Sequence, residues 1–269
     1  MRSFFRTDAQ PSVVATSVLS ILLFGLLIGA YLTASYYRHQ ENPQDKVMPT
    51  VSEMLDGLKR AALEPDRNGD LRLWVDTFAS ARRFGIAIGV VLLAIPLGVG
   101  MGLFPYVEAV FYRFIVFFDK IPALSVLPIL FIIFGLDELS KIALIVIGVF
   151  PTVALEAYLR AKSIPREQIH KAQTLGASGH EIAYRIVMPQ IFPKMLETIR
   201  LNLKAAMLLL IAGESLAATV GLGYRIFVVR RYVAMDIIIP YVLWMTGLLF
   251  LTDWFIQWVI RRRYVWLDK

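Results

Sequence analysis

Few residues in this 269-residue chain have the type and spacing to do chemistry, and none is arranged to make or break a covalent bond. Cysteine is absent, so there is no thiol nucleophile, thiolate metal site or disulfide framework. The three histidines, His39, His170 and His180, lie in polar segments and do not cluster. No G-x-x-x-x-G-K-S/T run is present to hold ATP, and no H-E-x-x-H run to hold a metal. What remains is charge in unusual settings. Glu214 follows the apolar run Leu208–Gly213, with Ser215 beside it, and Asp119 and Lys120 interrupt another apolar run just before Pro122 and Ser125. A charge at the centre of a membrane span costs about 2.5–3.5 kcal/mol on insertion scales, so it faces a cavity or a partner. Glu214, Ser215, Pro122 and Ser125 are therefore candidates for lining a path across a membrane. The alternatives are a structural helix–helix hydrogen bond for Glu214, an Asp119–Lys120 pair, and ordinary bend chemistry at the prolines.

The elements that must position these residues are apolar helices. Hydrophobic residues make up 57% of the chain and charged residues 18%, against about 45–50% and about 25% in soluble proteins, and the mean hydropathy is +0.62. The formal charge of +7 is spread over the flanks of apolar runs rather than gathered in a basic domain. That speaks for contact with lipid headgroups and against nucleic acid. A span takes roughly 20 apolar residues, and six such runs are expected: 12–37, 84–104, 105–134 with a bend near Pro122, 139–159, 194–218 and 237–260. Pro96 is expected to kink the second. The first run is too long for the apolar region of a cleaved signal peptide, about 7–15 residues, and is read as a retained helix. Lys and Arg mark the cytoplasmic side, which places Arg2, Arg6, the 160–194 loop and Arg261–Arg263 inside, with both termini cytoplasmic. The short connection after Gly221-Leu222-Gly223, carrying Arg225, Arg230 and Arg231, then falls outside and departs from the rule. Those arginines could concentrate an anionic substrate by electrostatic focusing. They could equally dock an acidic patch on a partner, or pair with Glu138 or the 38–83 segment. Glu108 and Arg113 lie near a cytoplasmic end and are expected to be solvated. Asp253 and Trp254 are expected to pack within the last span.

Residues 1–37 thus form a cytoplasmic tip and first transmembrane helix, 38–83 an extracytoplasmic segment with amphipathic helices, and 84–269 a five-helix core containing the 163–193 loop. In the middle unit, Thr50 and Glu53 form a capping box that starts a helix near Val51. That helix either lies on the membrane surface or packs on a neighbour. Glu64–Asp70 reads as a turn, and a second amphipathic stretch from Leu71 runs into the next span.

The 163–193 loop reads as two short helices. Pro165 suits a first helical turn, Gly176 a left-handed helix end, and Ser178 with Glu181 a second capping box. Pro189 and Pro193 are expected to limit the second helix. Helices shorter than about 12–15 residues are marginal in water, so both need packing, against each other or against another protein. Gly176, then nine residues, then Ile186-Val187-Met188-Pro189 resembles the EAA loop of ABC importer permeases, whose pattern is EAA, three residues, Gly, nine residues, I-x-L-P. The stretch from Lys171 to Ser178, including Ala177, is similar to the form found in nitrate/taurine/sulfonate/bicarbonate-type permeases. Similar segments are Ile121–Leu124, Leu127-Pro128, Phe134-Gly135 and Gly221–Tyr224, and the resemblance runs from about Met48 to the C terminus. It departs at the first two Glu-Ala-Ala positions, filled by His170 and Lys171, while Ala172 matches the third, and at Met188 in place of Leu.

The resemblance implies an all-α, polytopic fold of the type I ABC importer permease, with about six transmembrane helices. It also implies a place in the bacterial inner membrane and transport of a small anion delivered by an extracytoplasmic binding protein. The partners would be a second permease subunit, identical (a homodimer) or a different chain, and two ABC ATPase subunits, which bind ATP and Mg, this chain holding no cofactor. The loop residues His170, Lys171, Ala172, Gly176, Ala177, Ser178, Glu181, Ile186 and Pro189 would dock the ATPase. An ion-driven secondary transporter would show inverted repeats, which are not seen. An intramembrane enzyme would need a nucleophile–base pair or metal spacing inside the spans. A non-conducting assembly subunit would have little use for Glu214 or a bent span.

Overall fold

The computed structural model describes residues 12–264 apart from 44, 67 and 68. Arg2, Arg6 and Asn68 lie outside the described residues. Within them the chain is all α-helical, in the order α1 (Val13–Glu41), α2 (Val51–Leu63), α3 (Arg72–Val91), α4 (Ala94–Leu103), α5 (Pro105–Asp119), α6 (Ala123–Phe134), α7 (Glu138–Lys162), α8 (Arg166–Thr174), α9 (Gly179–Glu181), a π-helical turn (Ile182–Val187), α10 (Met188–Ala217), α11 (Leu222–Arg230) and α12 (Met235–Arg263). Four helical runs are long and apolar enough to cross a membrane: α1, α3 with α4, α7 and α12. The pair α5–α6, bent by 102°, and the helix ending in α10 paired with α11, bent by 56°, bring the number to six when each pair counts as one span.

The centre of the bundle is the contact of α4 with α7. Gly98 and Gly102, one turn apart, bring the α4 backbone against Ala154, Ala157 and Ala161 of α7, so that a Cβ at either glycine would collide with that helix. Without a hydrophobic drive between helices in lipid, small residues that permit close dispersion contact are what join them. The break between α3 and α4 falls at Leu92-Leu93, one turn before Pro96. Pro96 has no N–H for the Leu92 carbonyl, which instead accepts from Ile95 at 3.2 Å.

Several expectations need correction. The helix after Ser178 does not stop at Pro189; it continues through the π turn into α10. The wider turn absorbs the proline: Met188 N–H donates to Ala183 O, five residues back, where the regular ladder has no N–H from residue 189 to offer. The stretch from Leu71 continues into the next span as expected, α3 running unbroken through 83–84, but Asp76, Ser80 and Arg83 on it are buried. The residues after Gly223 form a helix, α11, rather than a loose connection. Glu108 is not free in solvent; it accepts from Tyr158 Oη at 2.6 Å and Lys162 Nζ at 2.8 Å.

α2 starts at the expected capping box, in which Thr50 Oγ1 accepts from Glu53 N–H at 3.3 Å and Thr50 N–H donates to Glu53 at 2.7 Å. That backbone donor holds the Glu53 carboxyl below the usual range. The helix packs on the start of α12, where Gly57 meets the Asp236 backbone and Arg60 reaches the Asp236 carboxylate at 2.8 Å. Trp74 stands edge-on to Trp244 at 5.6 Å beside it.

Candidate functional site

The buried face of α3 is the source of the largest polar cluster. Leu73, Asp76, Ser80, Arg83, Ala87 and Val91 are buried, and their three- and four-residue spacing is one helical stripe. Trp74 and Phe78 are exposed. The helix is thus inverted relative to one in water, with charge inside and aromatic rings outside.

Glu214, near the C-terminal end of α10, is fully buried and saturated. Ser80 Oγ donates to it at 2.7 and 2.9 Å, Arg83 Nη1 at 2.7 Å and Gly223 N–H at 2.8 Å. Arg83, 3% exposed, also grips Glu138 of α7 with two parallel bonds of 2.6 and 2.7 Å and donates to Val220 O at 2.8 Å. Asp76 accepts from Gly221 N–H at 2.9 Å, Arg225 Nε at 2.8 Å and Tyr241 Oη at 3.3 Å. Lys141 is buried and donates to the carbonyls of Leu136 and Asp137 at 2.9 and 3.2 Å. Gly221 permits this closure. Its φ of +138° is open to glycine, and a Cβ there would lie 2.6 Å from the Glu214 carboxyl carbon. Chemically the cluster is a clamp: Arg83, Glu138, Glu214, Asp76 and Arg225 each meet an opposite charge and Lys141 meets two carbonyls, leaving no free oxygen on Glu214 for a solute.

The other candidates fall apart from this cluster. Ser215 bonds back to Ala212 O at 2.8 Å. Pro122 caps α6, and Ser125, exposed, bonds to Pro122 O at 2.7 Å. Asp119 pairs with Lys120 at 3.0 Å and accepts from Thr152 at 2.8 Å. Of the three arginines after Gly223, Arg225 is partly buried and paired with Asp76, whereas Arg230 and Arg231 are exposed and Arg230 rests over the Phe227 ring at 5.0 Å.

The loop at the opposite end is built from local motifs. Pro165 caps α8, one position before the first helical residue. At its far end Gly176, φ +86°, donates to Gln173 O at 2.9 Å and Ala177 N–H to Ala172 O at 3.0 Å, the Schellman pattern. Ser178 Oγ then accepts from Glu181 N–H at 3.3 Å while Glu181 accepts from Ser178 N–H at 3.0 Å. Ala172, Ile182, Ala183 and Val187 face the core, with Ile186 partly covered; His170, Lys171, Leu175, Glu181 and Pro189 face outward, Leu175 81% exposed. His180 stands edge-on to Phe104 at 5.8 Å, which seats the loop on the end of α4.

Residues 91–264 match the family described as "Binding-protein-dependent transport system inner membrane component". The chain belongs to this family. The match covers the loop, α10, α11 and α12, and begins C-terminal to Asp76, Ser80 and Arg83. Among relatives, the taurine transport system permease protein TauC of Escherichia coli (strain K12) is 32% identical over 81% of this chain and 80% of its own length. The putative aliphatic sulfonates transport permease protein SsuC of Bacillus subtilis (strain 168) is 24% identical over 83% and 79%. A chain of the MetNI methionine ABC transporter, solved in inward-facing conformations, superposes with a TM-score of 0.59 at 18% identity, covering 70% of this chain and 96% of its own. That likeness gives the fold, an ABC importer permease of type I. In this permease, Asp76, Ser80, Arg83 and Tyr241 escaped the sequence reading. The signal that could have found them is the i, i+4, i+7 polar stripe 76-80-83 opposite Trp74 and Phe78.

Proposed function

We propose that this permease is the translocating subunit of an ATP-driven importer for a small anion, with taurine and aliphatic sulfonates the leading class and nitrate or bicarbonate within the same chemistry. Both termini and the 163–193 loop face the cytoplasm, where the loop docks a separate ATPase that binds ATP and Mg. A binding protein delivers the solute from outside, and two copies of this chain enclose the path. Arg230 and Arg231, unpaired among the described residues, lie on the delivery side.

One observation carries this reading: a single helical run joins the loop to the clamp. From Gly179 the chain passes through the π turn and α10 to Glu214 without a break. A push on His170, Lys171 or Leu175 is therefore delivered by packed helices to the charged cluster at the far end, as a rigid-body motion. The basic pair His170-Lys171 calls for an acidic residue in the ATPase groove.

The test is to purify the full chain from its native membrane and ask whether a nucleotide-binding subunit comes with it, then to reverse the charge with Lys171→Glu. A co-purified ATPase whose transport-coupled hydrolysis falls severalfold in the variant is the expected result. Absence of any such subunit would remove the importer reading. Unchanged coupling in Lys171→Glu would remove the docking role of the loop's basic face.

A further inference from the structure

At the loop end of the bundle, away from both sites described above, a pocket of about 350 Å³ opens between the ends of α7, α10 and α12. Its lining includes Arg160, Lys194, Arg200, Gln257 and Arg261, with Glu197 as its carboxylate. Two more carboxylates stand nearby: Glu156 lies 3.7 Å from Arg160, and Asp253 lies 3.1 Å from Arg200. Neither completes the neutralisation. Arg160 Nε and Arg200 Nε are buried donors without an aligned acceptor, and Lys194 and Arg261 have no ion pair among the described residues. A buried guanidinium N–H left unmet is costly. Arg160 Nε is such a group, Arg200 Nε meets Asp253 only out of line at 3.1 Å, and Lys194 and Arg261 stand around them without an ion pair among the described residues, an arrangement that asks for an anion with several oxygens.

The neighbouring surface says what carries that anion. A second hollow of about 310 Å³ shares Gln257 and Arg261 with the first and is walled by Trp254, Trp258 and Arg262. Trp254 is 57% and Trp258 43% exposed, and Arg262 lies over the Trp258 ring at 5.2 Å. Exposed indoles within about two turns of the basic end of an apolar span sit near headgroup depth. Basic pockets between membrane helices on such a face accept phospholipid headgroups. The geometry points to a binding site for an anionic phospholipid, its phosphodiester held by Arg160, Lys194, Arg200 and Arg261 and its glycerol and upper acyl chain laid along Trp254 and Trp258. The site rests on the membrane embedding of the chain and not on its coupling to ATP.

The test uses the full chain released from its membrane in mild detergent, with retained lipid read by native mass spectrometry. Phosphatidylglycerol and phosphatidylethanolamine are then offered in equal amounts. The expected result is preferential retention of phosphatidylglycerol, lowered about fivefold for each removed charge and about thirtyfold in Lys194→Gln/Arg261→Gln. Lys59→Gln, an equal charge change on α2 at the other end, leaves retention unchanged, and Lys194→Arg keeps it, which separates loss of binding from loss of fold. Equal retention of the two lipids, or retention untouched in the double variant, would overturn the site. Inorganic phosphate at millimolar concentration displacing the lipid preference, with no role for Trp254→Ala, would overturn the lipid assignment.

Discussion

The two ends of the bundle are held by opposite means. At the loop end, order comes from bonds three to five residues apart: the Schellman closure at Gly176, the capping box at Ser178 and Glu181, and the π turn before Pro189. At the clamp, Arg83 and Glu138 are 55 positions apart, Arg83 and Glu214 131, and Asp76 and Tyr241 165. A locally closed loop can leave its outward side chains unengaged, ready for another protein. The clamp consumes its charges internally and offers none. The first suits a docking element that must keep its shape alone; the second suits a joint that fixes α3, α7, α10, α11 and α12 relative to one another in a medium without water to satisfy polar groups.

That contrast can be broken at the clamp first. Arg83→Gln leaves Glu214 buried without its ion partner and should cost about 3–5 kcal/mol, read as a large drop in the thermal unfolding midpoint of the solubilised full chain. Arg83→Met/Glu214→Gln removes both charges and should recover much of the loss. A single variant as stable as the parent, or a double variant no better than the single, would mean the pair is not what holds the joint.

Two glycines sharpen the comparison. Gly221→Ala meets both a glycine-only backbone and the Glu214 carboxyl, each worth about 1–3 kcal/mol, so about 3 kcal/mol in all is expected. Gly221→Asn should be no milder, since the obstruction is the carboxylate. At Gly176 a Cβ would meet nothing within 4 Å, so Gly176→Ala should cost only the left-handed conformation, about 1–2 kcal/mol. Gly176→Asn should be gentler still. The same unfolding measurement decides both, and equal penalties at the two positions would erase the distinction between a crowded turn and an open one.

Much of the molecule was legible from local pattern. The spans followed from apolar length, the capping boxes at Thr50 and Ser178 from their Glu partners, and Gly176 from its place at a helix end. Glu214 stood out because a carboxylate in an apolar run must be explained. Its partners did not stand out, because Asp76, Ser80 and Arg83 are also what an exposed amphipathic helix would carry. The same residue types face water or face inward depending on what surrounds the helix, and one stretch of sequence does not contain its surroundings. The continuation of the helix through Pro189 was hidden for a related reason: a proline stops a regular ladder, but a π turn beside it lets the chain go on.

By itself, then, the sequence determined the membrane helices, the ends of the loop's first helix and the start of its second, since each depends on residues within one or two turns. The tertiary structure alone decided that Glu214 belongs to a saturated clamp, that Arg225 is spent on Asp76 while Arg230 and Arg231 have no ion pair among the described residues, and that Arg160, Lys194, Arg200 and Arg261 share a pocket. Those outcomes depend on which helix ends meet. In a bundle joined through small residues and dispersion, that is fixed by shape across the whole fold and not by any single segment.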